Sequence, residues 1–261
     1  CAFYYERFQT MLYKYVGNAD DDKVIEYLDA FVENGTIYAS RPLDFNDPAE
    51  LKVILDFEAD FDVIKNKFYA DNPEKTEEEF LAWYSSFDER AKSWIAYKTR
   101  EEILTTHGIV CLTRDHDNFL MWSHYANSHT GFCIGFDDEF SKSIEGRSVL
   151  GNVVYVDFYP RYNYYTDDPV NYLSATYLHK GLPWSYEKEY RVITDGYGVK
   201  RFDKSLIKEV TLGCRASFEL QDHACKLIEK GISVFKMALG KDSYKLERVP
   251  VKKNHYFQGD A

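Results

Sequence analysis

The chain has 261 residues, 32 Lys and Arg against 43 Asp and Glu, and a formal net charge of −11, which excludes phosphate-driven binding to nucleic acid or to an anionic membrane as its main activity. A hydrophobic fraction of 45%, with only 7 Pro and 14 Gly, excludes a disordered or collagen-like chain. Aromatic residues make up 17%, and the length allows one large domain or two small ones.

In chain order, residues 11–16 predict a first strand. Asp20, Asp21 and Asp22 offer helix caps, Val24, Leu28, Phe31 and Val32 recur at helical spacing, and Gly35 ends that helix. Residues 36–40 read as a strand between Gly35 and Pro42, and Pro48 suits the first turn of the next helix. Thr76-Glu77-Glu78-Glu79 is a capping box, followed by one apolar stripe through Phe80, Trp83, Tyr84, Phe87, Ala91, Trp94 and Ile95. From Gly108 the pattern turns to strands at 109–113, 132–136, 152–158, 189–194, 206–213, 232–238 and 243–249, with short helices near 117–126, 169–179 and 217–230.

No repeat, low-complexity stretch or linker interrupts this order. The expectation is one α+β domain over residues 1–250, with a mixed or antiparallel sheet core and a helical insert at about 48–106. The tail 251–261 contains Tyr256-Phe257-Gln258-Gly259, which reads as an expression-tag remnant. The first residues lack the basic and apolar regions of a signal peptide, and no apolar run approaches the roughly 18 residues of a membrane helix. Five scattered cysteines without a Cys-x-x-Cys pair fit reduced thiols, so a cytoplasmic location is expected.

The sequence has no P-loop, no Gly-x-Gly-x-x-Gly after a strand, no Gly-x-Ser-x-Gly and no His-Glu-x-x-His. Four other segments carry more polar and aromatic detail than a core demands. In Leu12-Tyr13-Lys14-Tyr15 a strand puts both tyrosines on one face and Lys14 on the other, placing a cation or phenol to hold a phosphate or an amide. In Phe45-Asn46-Asp47-Pro48-Ala49-Glu50 a turn accounts for Asp47 and Pro48 but leaves Asn46 and Glu50 without a structural task.

The third segment runs from Met121 to Gly131. Trp122, His124 and Tyr125 suit stacking or hydrogen bonding around a flat ring, against the plainer alternative of an amphipathic helix with a satisfied histidine. His124 and His129 stand five apart with no Cys or acid at ligand spacing, so no metal is expected there. The fourth is Trp184-Ser185-Tyr186-Glu187-Lys188-Glu189-Tyr190-Arg191, where strand alternation puts the Glu187 and Glu189 carboxylates on one side with Arg191 next in line.

Taken in order, these four strings resemble a large bacterial family of uncharacterised proteins, a domain of unknown function whose members occur in some cases near phage-defence genes; the likeness runs from about residue 11 to 240. Glu187-Lys188-Glu189 before the strand at 190–193 is also similar to the Glu-x-Glu of ADP-ribosyltransferases. That resemblance implies NAD as substrate, Glu189 orienting the nicotinamide ribose and stabilising an oxocarbenium-like transition state, and Glu187 assisting. It also implies that Lys14 or Tyr15 stands where those enzymes carry Arg or His, and that Tyr38 and Ser40 stand for their middle-strand residues. The Lys in place of Arg or His is a departure from the pattern.

Three functions follow as expectations. The first is an NAD-consuming ADP-ribosyltransferase-like enzyme of a phage-defence or toxin system, taking a small nucleotide. The second is a non-catalytic sensor or protein-binding module, motivated by the aromatic content. The third is a metal-dependent nuclease using Asp47, Glu50, Glu187 and Glu189, which the charge of −11 weakens.

Overall fold

The computed structural model describes residues 11–252. Strand β1 (Leu12–Val16) leads to Asp20, whose side chain accepts from the Asp22 amide and starts helix α1 (Asp21–Val32). Gly35, at φ +62°, turns the chain into β2 (Thr36–Ala39). The helix expected at Pro48 does not form. Asp47 accepts from the Ala49 amide in a tight turn, Leu51 takes φ 57°, and the chain continues as β3 (Ile54–Asp56). A left-handed leucine cannot continue a right-handed helix.

The helical insert therefore begins later, with α2 (Phe61–Asp71), α3 (Glu77–Ser86) and α4 (Glu89–Thr106). The capping box at Thr76 and Glu79 closes in both directions. The stripe expected through residue 95 is broken: Asp88 accepts from the Arg90 and Ala91 amides and caps a new helix, and Trp94 is 62% exposed.

The remaining elements are β4 (Gly108–Thr113), α5 (Phe119–Tyr125), β5 (Phe132–Phe136), α6 (Phe140–Ser143), β6 (Arg147–Asn152), β7 (Val154–Val156), β8 (Arg161–Asn163), α7 (Pro169–Tyr177), β9 (His179–Gly181), β10 (Glu189–Thr194), β11 (Gly198–Arg201), β12 (Ile207–Leu212), α8 (Phe218–Cys225), β13 (Ser233–Leu239) and β14 (Leu246–Pro250). The strand expected at 152–158 holds β7 and the last residue of β6, whose other residues precede it, and the helix expected to 230 ends at Cys225 in a 3-10 turn. One eight-stranded sheet in the order β14-β13-β12-β5-β1-β4-β10-β6 forms the centre, antiparallel except between β12 and β13. The fold is α+β, with a mostly antiparallel sheet. No described helix is long and apolar enough to cross a membrane. The tail from residue 253 lies outside the described residues.

The two faces of the sheet differ in kind. Leu12, Val110, Leu112, Ile134, Val192 and Val210 pack with α1 and α8 into the main core. Each such side chain contributes roughly 1.5–3 kcal/mol by leaving water. The register sets Tyr13 opposite Thr113, Glu189 opposite Thr113 and Arg191 opposite Cys111, so these polar residues share the other face.

β1 pairs with β5 along its whole length but with β4 only at Tyr13–Thr113, and the far end of that β4 edge is taken by Ser40, which bridges Ile109. Between those two points no ladder is formed on this side of β4 among the described residues. The sheet parts there.

Candidate active site

Glu187 ends a 3-10 turn (Leu182–Glu187), Lys188 is left-handed at φ 44°, and Glu189 opens β10. Strand alternation therefore does not aim the two carboxylates; the left-handed residue between them does. It swings the Lys188 side chain outward to Asp115 at 2.8 Å and leaves both glutamates buried.

With Glu50, Lys180 and Arg191 they make five buried charges in contact. The Arg191 guanidinium donates to Glu189 through Nε at 2.8 Å and Nη2 at 2.9 Å, and to Glu50 Oε2 at 2.5 Å. Its Nη1 donates to the Tyr177 carbonyl at 3.0 Å. The Lys180 ammonium lies 2.8 Å from Glu50 Oε1, 2.6 Å from Glu187 Oε2 and 3.4 Å from Glu189 Oε2. None of the five is more than 6% exposed. Three carboxylates against two cations leave the cluster one negative charge in excess when all are ionised.

The environment splits the two neighbouring carboxyls. Burial favours the neutral form of both. At Glu189 the Arg191 guanidinium, helped by Lys180, overrides burial and holds the pKa down at about 2. At Glu187 burial prevails over Lys180 and the Tyr125 hydroxyl, and the pKa is raised. Burial pulls Lys180 towards neutrality, yet the three surrounding carboxylates keep it charged well above the usual lysine range.

A cavity of about 300 Å³ opens over this cluster where β1 and β4 part. All four sequence segments reach it. β1 contributes Tyr13, Lys14 and Tyr15; the turn after β2 contributes Asn46 and Glu50; α5 contributes Met121 and Tyr125; the fourth segment contributes Glu187, Glu189 and Arg191. Ser40 also lines it. Lys14 donates to the Cys111 carbonyl at 3.3 Å across the parted sheet, and burial lowers its pKa.

α5 is held in place by Asn118, which caps its first turn and donates to the Tyr186 carbonyl at 3.0 Å. The Tyr125 hydroxyl thereby reaches Glu187 Oε1 at 2.5 Å. Thr113 Oγ1 donates to the Glu187 carbonyl at 2.5 Å and fixes the turn from the other side.

Four expected residues do not line the cavity. Trp122 is fully buried, edge-on to Tyr15, with Nε1 donating to the His116 carbonyl, so it offers no shelf for a ring. His124 is exposed and hydrogen-bonded to Tyr186. His129 stacks on Trp122 and shares a hydrogen bond with Ser123. Tyr38 is 53% exposed on β2. The third string is largely a packing device: Asn127, Ser128 and His129 all have positive φ, and a Cβ at Gly131 would sit 2.0 Å from the Val16 carbonyl oxygen. That close approach seats α5 against β1.

The sequence reading passed over Lys180 and gave Glu50 a role only among the carboxylates of the nuclease alternative. Charge balance was the available signal, since three buried acids cannot share one arginine. For a metal, the carboxylates Glu50, Glu187 and Glu189 already have an ammonium and a guanidinium as counter-ions, and Asp47 serves its turn. Among the described residues, Asp115, His116 and Asp117 are the acids and histidine grouped at metal-ligand distances, and Lys188 holds the first of them.

Residues 121–192, from α5 into β10, match the family described as "Protein of unknown function (DUF2971)". No curated protein and no solved structure matches the chain.

Proposed function

We propose that the chain is an enzyme that breaks or exchanges the N-glycosidic bond of a nucleotide, with NAD as the substrate class. The observation that carries this is the pair of carboxyls on one cavity whose surroundings drive them apart, Glu189 ionised at about 2 and Glu187 raised. Opposed environments are how neighbouring acids acquire different roles.

As the bond to the base lengthens, positive charge grows on the ribose, and a fixed anion stabilises it. Glu189 suits that task because Arg191 keeps it ionised and immobile. Glu187, linked to Tyr125, suits moving a proton from the incoming water or hydroxyl. Tyr13, Tyr15 and Tyr125 supply aromatic walls for a cationic ring such as the nicotinamide of NAD. Lys14 stands where the resemblance to ADP-ribosyltransferases puts Arg or His. Consumption of NAD also fits a phage-defence or toxin setting, since it would starve the host cell.

The test is nicotinamide release from NAD by the purified chain. Glu189→Gln should cut turnover by about 10²–10³-fold, the scale of losing one fixed charge-stabilising group, with circular dichroism unchanged. Undiminished turnover in a folded Glu189→Gln protein would remove the assignment. A non-catalytic protein-binding role has one observation in its favour: Trp94 and Tyr97 are 62% and 61% exposed on α4. The charged cluster on the first cavity favours the enzyme.

A further inference from the structure

Behind the Glu50–Lys180 ion pair lies a second cavity, of about 530 Å³, a size suited to a small organic ligand. Glu50 and Lys180 line both cavities, so their 2.8 Å contact is the partition between them. Beyond that pair, the titratable groups on the second cavity are Lys52, Asp157, Tyr159, Arg161 and His179.

Cations outnumber anions here, against the trend of a chain with net charge −11. The Lys52 ammonium lies 5.5 Å over the Tyr159 ring and forms no ion pair among the described residues. Arg161 is shared with a groove on its other side that carries Asp56, Glu58 and Glu89. His179 has Nδ1 3.1 Å from the Ser174 carbonyl. At the rim, Phe158 is 86% exposed and Tyr159 44%.

The wall itself is strained. Leu51 lines the cavity with φ 57°, a conformation a leucine rarely adopts, and Arg100 holds it by donating to the Leu51 carbonyl at 2.5 Å and the Glu50 carbonyl at 3.2 Å. This turn sends Glu50 into the ion cluster and Lys52 into the second cavity. Strain of this kind persists where surrounding structure enforces it, commonly at ligand sites.

We infer that the second cavity is a binding site for a phosphorylated small molecule with a flat ring, a mononucleotide in class. Lys52 takes the phosphate and Tyr159 stacks on the ring. The assignment does not require turnover in the first cavity, although Glu50 and Lys180 border both.

Isothermal titration of the full chain with AMP, adenosine and inorganic phosphate tests it. AMP should bind saturably and more tightly than either fragment. Lys52→Ala and Tyr159→Ala, both at exposed positions, should each weaken AMP about tenfold. Lys14→Met, on the first cavity alone, should leave AMP binding within about twofold, well under the tenfold that 1.4 kcal/mol represents. Absence of saturable AMP binding overturns the proposal, as does AMP binding that survives both Lys52→Ala and Tyr159→Ala. Loss of AMP binding in Lys14→Met alone would put the ligand in the first cavity and overturn it too. Phosphate binding as tightly as AMP would overturn it as well, since the ring would then add nothing.

Discussion

Glu187 and Glu189 are two residues apart and see opposite environments, and their pH dependences have opposite signs. Glu189 has a folded pKa of about 2, below that of an ordinary carboxylate. Its ionisation therefore adds stability that is present above roughly pH 4 and is lost as pH falls towards 2. The gap in melting temperature between wild type and Glu189→Gln should be large at neutral pH and close across that window; a gap independent of pH would exclude the ionic origin. Glu187 has a raised pKa, and the Tyr125 hydrogen bond opposes the rise. Tyr125→Phe should therefore move the acidic limb of the turnover profile to higher pH. Arg191 is fully buried between Glu50 and Glu189, so Arg191→Met leaves Lys180 as the one cation for three buried carboxylates. Urea denaturation should record a loss of about 3–5 kcal/mol, as for other broken buried pairs.

At the scale of elements, local signals were legible where a residue acts on its neighbours in sequence. The Thr76–Glu79 capping box is such a case, and Thr76→Ala should cost about 1 kcal/mol without changing turnover, since it lies far from the cavity in the chain and outside its lining. The break at Asp88 was illegible because the apolar spacing of α3 runs on in phase into α4. Strands β3, β8 and β9 have three residues each, too few for a two-residue period to show. The left-handed Lys188 was likewise hidden, since nothing in Glu-Lys-Glu marks a positive φ. Lys188→Gly should be tolerated within about 1 kcal/mol, because glycine takes the positive φ without strain and this offsets the lost contact to Asp115. Lys188→Val should cost upward of about 1–2 kcal/mol in thermal unfolding.

Across the whole molecule, burial is concentrated in the central strands. β5 and β10 are buried at every position, whereas α3 buries only Phe80 and α4 only Ile103. Amide hydrogens of β4, β5 and β10 should exchange slowest and those of α3 and α4 much sooner; equal protection would contradict this distribution of stability. Composition and periodicity were enough for the fold class, the capped helices and the gathering of Lys14, Asn46, Tyr125, Glu187, Glu189 and Arg191 as candidates, because each signal resides in a residue type or a short spacing. The roles of Glu50 and Lys180 were not legible. They stand 130 positions apart, and their 2.8 Å contact exists through the left-handed turn at Leu51 and the pairing of β7 with β9. The cavity likewise arises where β1 leaves β4 and Ser40 takes up its edge. Strand partners distant in the chain set that opening, and no local spacing encodes it.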